Sequence, residues 1–295
     1  MRAKILLGTG CFLIVGIFFF PYYGIRNRVF NEISKQTGME IFAGKMWPTF
    51  AGMGVGIKDL TLQLPARGAN NENVDVELTQ VKAYVPWTSL ILFSPALQVN
   101  GKLSPKGELS LWVKPKGDGF DLKVFLKNVD IGPYLEKLGV NQVNLAGEVQ
   151  MDLTTHLNQK TNALGATDMK LQVQKITLDA LEVAGFNIPQ LKFKFPALIS
   201  GVSKDGKMFD VTVDLGKSGD PFVLTATGNV EVNAKNPEGS IFDLKNSITF
   251  SKELIQNETI GMVLPLLEQF KKSDDNYHIK LTGTLGKGID FPTTF

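Results

Sequence analysis

The sequence predicts a mainly β fold with a few helices, a curved antiparallel sheet that follows a single N-terminal transmembrane helix. Three observations lead there. Residues 5–20 carry no charge. Further along, apolar residues recur at every second position, the period of a strand with one buried face. Glycine-bearing turns separate these runs, as hairpins require. The 295 residues therefore divide into an anchor, residues 1–26, and one extracytoplasmic β-rich domain, residues 27–295.

The anchor is carried by Ile5, Leu6, Leu7, Phe12, Leu13, Ile14, Val15, Ile17, Phe18, Phe19 and Phe20. Extended to Ile25, the run would measure about 31 Å as a helix, close to the hydrocarbon thickness of a bilayer. Arg2 and Lys4 precede it, Tyr22 and Tyr23 stand where an interfacial aromatic belt is expected, and Arg26 and Arg28 follow. A cleaved signal peptide would end in small residues, whereas this run ends in three phenylalanines and Pro21. A lipidated Cys11 would have only Ile5 to Leu7 as its apolar core, and the run continues past the cysteine. A short basic flank before the helix favours a cytoplasmic N-terminus. The expected arrangement is thus a membrane crossed once with the bulk of the chain outside the cytoplasm, and a domain with no cysteine beyond Cys11 makes the bacterial envelope its natural place.

After the anchor, Val29, Phe30 and Ile33 are spaced for a short helix over residues 27–37, stopped by Gly38. Strands are then expected from Val74, Val76 and Leu78, from Leu109, Leu111 and Val113, and from Phe120, Leu122, Val124 and Leu126. Further strands cover residues 143–153, Met169 to Val173, Phe209 to Leu215, and Ile279 with Leu281. Lys116 to Gly119 and Lys204 to Lys207 read as hairpin turns. Two helices interrupt the strands. One runs from Ile131 to Leu138, with Asp130 as N-cap and Pro133 in its first turn. The other covers Lys252 to Lys272 and is expected to break near Gly261 or Pro265. Gly101, Gly147, Gly228 and Gly283 each have an apolar residue two positions before and two positions after. Alternation puts them on the apolar face, where they would permit curvature or a close backbone approach.

The charge balance limits function. Thirty-one basic against 29 acidic residues leave +2, too little for the broad positive surface that nucleic acid requires. With one cysteine and two isolated histidines, His156 and His278, no metal or cofactor site is expected. Gly52, Gly54 and Gly56 lack the remaining spacing of a dinucleotide loop and read as a flexible entry to a strand. Gly216-Lys217-Ser218 lacks the first glycine of a phosphate loop and reads as a hairpin tip. Both histidines fall in strand-like segments on the polar face, so no catalytic residue is assigned and an enzyme is not expected.

The segment Ile33-Ser34-Lys35-Gln36-Thr37-Gly38, then Pro48, then Gly56 to Leu62, resembles the opening of AsmA-like envelope proteins. Val129 to Leu135, continuing to Leu145-Ala146-Gly147-Glu148-Val149, is similar to that family's helix-then-strand unit, and Leu281 to Leu285 to its closing strand. Length, single anchor and element order look most like the AsmA-like protein N family of type II secretion systems. The resemblance covers nearly the whole chain, through packing and turn signatures rather than reactive residues. It implies a single-pass anchor in the bacterial inner membrane and a periplasmic domain, with either an accessory part in protein export through other secretion proteins or lipid handling by a curved sheet that receives phospholipid acyl chains.

Overall fold

The computed structural model describes residues 28, 30–32, 34–35, 39–49, 52–64, 74–137, 145–161, 163–183, 186–233, 236, 239–273, 275–285, 288–290 and 292–295. The anchor residues Ile5 to Phe20 lie outside these. Among the described residues no helix is long and apolar enough to cross a membrane. In the short helix expected after the anchor, Arg28, Phe30, Asn31, Glu32, Ser34 and Lys35 are helical. The fold is mainly β with a few short helices, and its paired strands run antiparallel. The chain divides between Pro105 and Lys106 into two compact units, within the span read from sequence as one domain.

The first unit contains β1 (Glu40–Ala43), β2 (Met46–Thr49), β3 (Gly52–Leu64), β4 (Val74–Pro86), α1 (Trp87–Ile91) and β5 (Leu97–Leu103). β1 and β2 share one edge of β3, β4 takes the other, and β5 pairs with β4. Ile57, Leu60, Leu78 and Val81 are buried apolar side chains along the long hairpin. Gly54 and Gly56 are not a flexible entry but lie inside β3. A Cβ on Gly56 would stand 2.3 Å from the Trp47 indole, and one on Gly54 would strike the Tyr84 backbone. The missing side chains let an aromatic ring and a neighbouring strand lie flat on β3.

The second unit holds β6 (Glu108–Lys116), β7 (Gly119–Asp130), α2 (Gly132–Lys137), β8 (Leu145–Asn158) and β9 (Ala163–Leu178). Then come β10 (Leu181–Val183), β11 (Phe186–Ile188), β12 (Leu191–Lys192), β13 (Ala197–Ser203), β14 (Met208–Leu215), β15 (Phe222–Glu231) and β16 (Ile241–Phe250). α3 (Lys252–Ile255), α4 (Glu258–Leu267), β17 (Lys271–Ser273), β18 (Asn276–Thr284) and β19 (Gly288–Ile289) complete it. Its sheet runs β6-β7-β8-β9-β13-β14-β15-β16-β18. β10 and β11 form a separate hairpin. The turns expected at Gly117 and Gly206 carry φ of +59° and +72°, which glycine adopts without Cβ strain.

α2 starts where Asp130 Oδ1 accepts the Gly132 N–H at 3.1 Å. The second expected helix breaks earlier than the sequence suggested. Asn257 interrupts it, its Oδ1 accepting the Ile260 N–H at 3.3 Å, and Gly261 and Pro265 both lie within α4. An Asx cap satisfies the orphan amides of a new helix start, so it sets the boundary ahead of the glycine. Lys271 and Lys272 leave the helix for β17.

Three breaks in the alternation are absorbed without turning the apolar face over. Asp59, Asn128 and Lys175 have φ of +57°, +53° and +54°. Asn128 and Lys175 lie at register shifts of β7 against β8 and of β9 against β8. The apolar residues on either side, Leu126 and Val129, or Val173 and Ile176, thereby point the same way. A bulge supplies the extra residue that this requires. Valine in the left-handed region is disfavoured by about 1–2 kcal/mol. Asn128→Val should lower unfolding free energy by that order, and Asn128→Gly by clearly less; equal losses in urea melts would contradict the left-handed bulge.

Candidate functional site

Register across the second unit builds one broad apolar face. Leu111, Val124, Leu153, Met169, Val211, Leu244 and Leu281 are on it, in line with Gly201 and Gly228. The next row holds Leu126, Met151, Leu171, Ile199, Val213, Ala226, Asn246 and Ile279. Most of these side chains, from Leu111 through Met169, Leu171 and Val213 to Leu244, are only half-buried. No large side chain among the described residues is fully buried. The main contacts of α2 and α4 with strands fall on β8 and β11, and the core packing of Leu254 and Ile260 lies at one end of the face.

A buried core does form at one end. Ile176, Leu191, Phe193, Ala197 and Leu254 cluster there, with Leu215, Phe222, Phe250 and Ile260 packed around them. Leu254 is seated by α3, whose N-cap Ser251 Oγ accepts the Leu254 N–H at 3.2 Å. An edge-to-face aromatic chain continues across the strands: Phe193 to Phe222 at 5.1 Å, Phe222 to Phe250 at 6.3 Å, and Phe250 to Tyr277 at 5.4 Å. Such contacts stabilise beyond simple area burial. Toward the opposite strand ends the face turns polar, and buried Thr155 and Thr167 share a hydroxyl hydrogen bond of 2.7 Å. Asn246, the polar residue in the apolar rows, is satisfied by donating to the carbonyls of Leu244 and Ile279 at 3.2 and 3.1 Å.

The reverse face carries the charge. His156 is on it, its Nδ1 2.9 Å from Asp121 Oδ1, and Lys116 Nζ lies 3.0 Å from the other Asp121 oxygen. The hydrogen bond from His156, then that from Lys116, hold the Asp121 carboxyl below its ordinary range. His278 also faces this way, stacked on Phe295 at 4.9 Å. A cavity of about 390 Å³ on this face mixes Phe125 and Leu198 with Asp152, Lys170 and Asp214. Another of about 490 Å³, outside the closed end, is lined by Lys192, Lys194, Lys252 and Asp220. Gly216 to Ser218 is the β14–β15 connection, as expected. Its Lys217 N–H, and that of Lys194, are taken by the buried Asp220 carboxylate at 3.0 and 2.6 Å. Among the described residues no three His, Cys, Asp or Glu converge to hold a metal.

Comparison with known proteins finds no matching family model, curated protein or solved structure. The face is legible in the sequence as alternation, and Gly147 and Gly228 are close-approach positions on it: a Cβ would meet Val173 Cγ1 at 2.9 Å and the Asp243 carbonyl at 2.0 Å. Sequence reasoning missed the bulge carboxylate Glu148, which Lys106 and Lys175 approach at 2.7 and 2.8 Å. Its signal was the polar pair Gln174-Lys175 breaking the alternation of β9.

Hydrogen bonds from Lys106 first, then Lys175, hold the Glu148 carboxyl below its ordinary range. A carboxyl depressed in the folded state contributes stability above its unfolded pKa, and that contribution is lost as pH falls through the folded value. The thermal-midpoint gap between wild type and Glu148→Gln should therefore narrow from about pH 5 to pH 3. A gap constant over that window in circular dichroism melts would show that these lysines do not hold the carboxylate.

Proposed function

We propose that this chain is an AsmA-like protein of the bacterial envelope, anchored in the inner membrane by residues 5–20, that holds phospholipid acyl chains against the apolar face of its second unit. The observation that carries this reading is the broad apolar face, continuous in register from β6 to β18, whose side chains are mostly only half-buried. Completing the burial of half-buried apolar side chains is favourable by about 25 cal/mol per Å² of apolar surface removed from water, and a ligand laid along the face gains that term. An acyl chain suits it because the face offers methyl and methylene contacts and its buried polar groups, Thr155, Thr167, Ser203 and Asn246, are already paired. The membrane anchor read from sequence keeps the domain beside a source of such chains. The resemblance to protein N of type II secretion supports a further part of the reading, an accessory role in export through interaction rather than catalysis.

A photo-crosslinking amino acid at Met169 or Leu171 in the full-length chain, expressed in a bacterial envelope, should yield phospholipid adducts. The same group at Lys170, between them on the reverse face, should yield few. Equal lipid labelling at all three positions, or none at Met169 and Leu171, would sink the acyl-chain reading.

A further inference from the structure

We propose that the β4–α1–β5 end of the first unit inserts into the surface of an anionic phospholipid bilayer. This is independent of the acyl-chain reading, since it concerns another unit and another surface. Between Lys82 and Lys102 the chain has 19 residues without a charge. Their turn presents apolar side chains to solvent: Phe93 is 94% exposed, Ile91 and Leu92 73%, and Trp87 43%. Met53 on β3 and Leu97 on β5 are exposed at the same end. A compact unit gains nothing by this arrangement within itself. The helix even ends on Phe93 at φ +50°, a left-handed position that ordinarily takes glycine, and the ring it carries is turned outward.

Charge is ordered behind this tip. Lys82 stands four residues before Pro86, about 13 Å along a strand. Lys58 and Lys102 both pair in register with Gln80, and Lys45 lies beside Lys58, whose N–H the Lys45 carbonyl accepts at 2.9 Å. All four lysines are exposed, and none has an ion-pair partner among the described residues. Acidic residues come next: Asp59, Glu77, then Asp75 and Glu40 aligned through Gln63. Apolar tip, basic collar, acidic far end is the order in which a bilayer presents acyl chains, phosphates and water. A tryptophan at the boundary fits the interfacial preference of its ring, and exposed lysines are drawn to anionic headgroups. An apolar protein partner would not call for the collar.

The test uses the full-length chain with Cys11→Ala, reconstituted through its own anchor into phosphatidylcholine vesicles containing phosphatidylglycerol. An environment-sensitive fluorophore is placed at Phe93→Cys, at Ile91→Cys as an independent variant, and at Glu77→Cys as the far-end control. The labels at 91 and 93 should emit blue-shifted, lose most of their emission to a lipid-borne nitroxide and resist aqueous iodide. The label at 77 should behave in the opposite way. Omitting phosphatidylglycerol, or combining Lys82→Glu with Lys102→Glu, should return the tip labels toward water. Tip labels quenched by iodide and not by nitroxide would overturn the proposal. So would labels shielded from both, which would show that a second copy or another protein covers the tip.

Discussion

Side chains on a strand alternate strictly, so one unpaired residue turns every later apolar side chain to the opposite face. Strands of 12 to 16 residues, as in β7, β8 and β9, accumulate such errors unless something corrects the phase. Here the correction is the left-handed residue: Asn128 in β7 and Lys175 in β9, placed on the two sides of β8 near Glu148. Asn tolerates that conformation well. Lys175 does not share this advantage, and its ammonium instead reaches Glu148, an exposed pair of modest strength. With the phase kept, residues from β6 to β18 contribute to a single apolar face.

The same geometry explains why the core is unevenly placed. α3, α4 and the aromatic series from Phe193 to Tyr277 cover only the end of the face where β12 and β13 begin. Elsewhere the side chains of the face are mostly half-buried. A sheet that twists and carries bulges brings such side chains closer together, which contributes to their partial burial. Among the described residues of this unit, the buried apolar cluster lies at that end.

Much of this was legible in the sequence. Val74 to Leu78, Leu109 to Val113 and Phe209 to Leu215 alternate cleanly and are strands, and Asp130 with Pro133 announces α2. The left-handed positions were legible only as interruptions, because Ile57-Lys58-Asp59-Leu60 and Leu126-Lys127-Asn128-Val129 mimic the three-residue spacing of a helix. The break at Asn257 was hidden by a stronger-looking proline, since a proline eight residues into α4 is tolerated once the helix is held elsewhere by its cap. Gly54 and Gly56 resembled a loop because their function is to admit Trp47 and Tyr84, partners that only the register of β2 and β4 supplies. Whether the apolar face is covered cannot be read from alternation, since a sandwich and an open sheet share period two.

The central claim is that acyl chains, not protein, lie on this face. Methyl-resolved NMR of the full-length protein, labelled at Leu and Val and bound to protonated phospholipid in deuterated detergent, tests it directly. The account predicts intermolecular NOEs from acyl methylenes to Leu153, Leu171 and Val213, and none to Leu198 or Val202 on the reverse face. NOEs from these methyls to another protein layer, with no acyl cross-peaks, would contradict it.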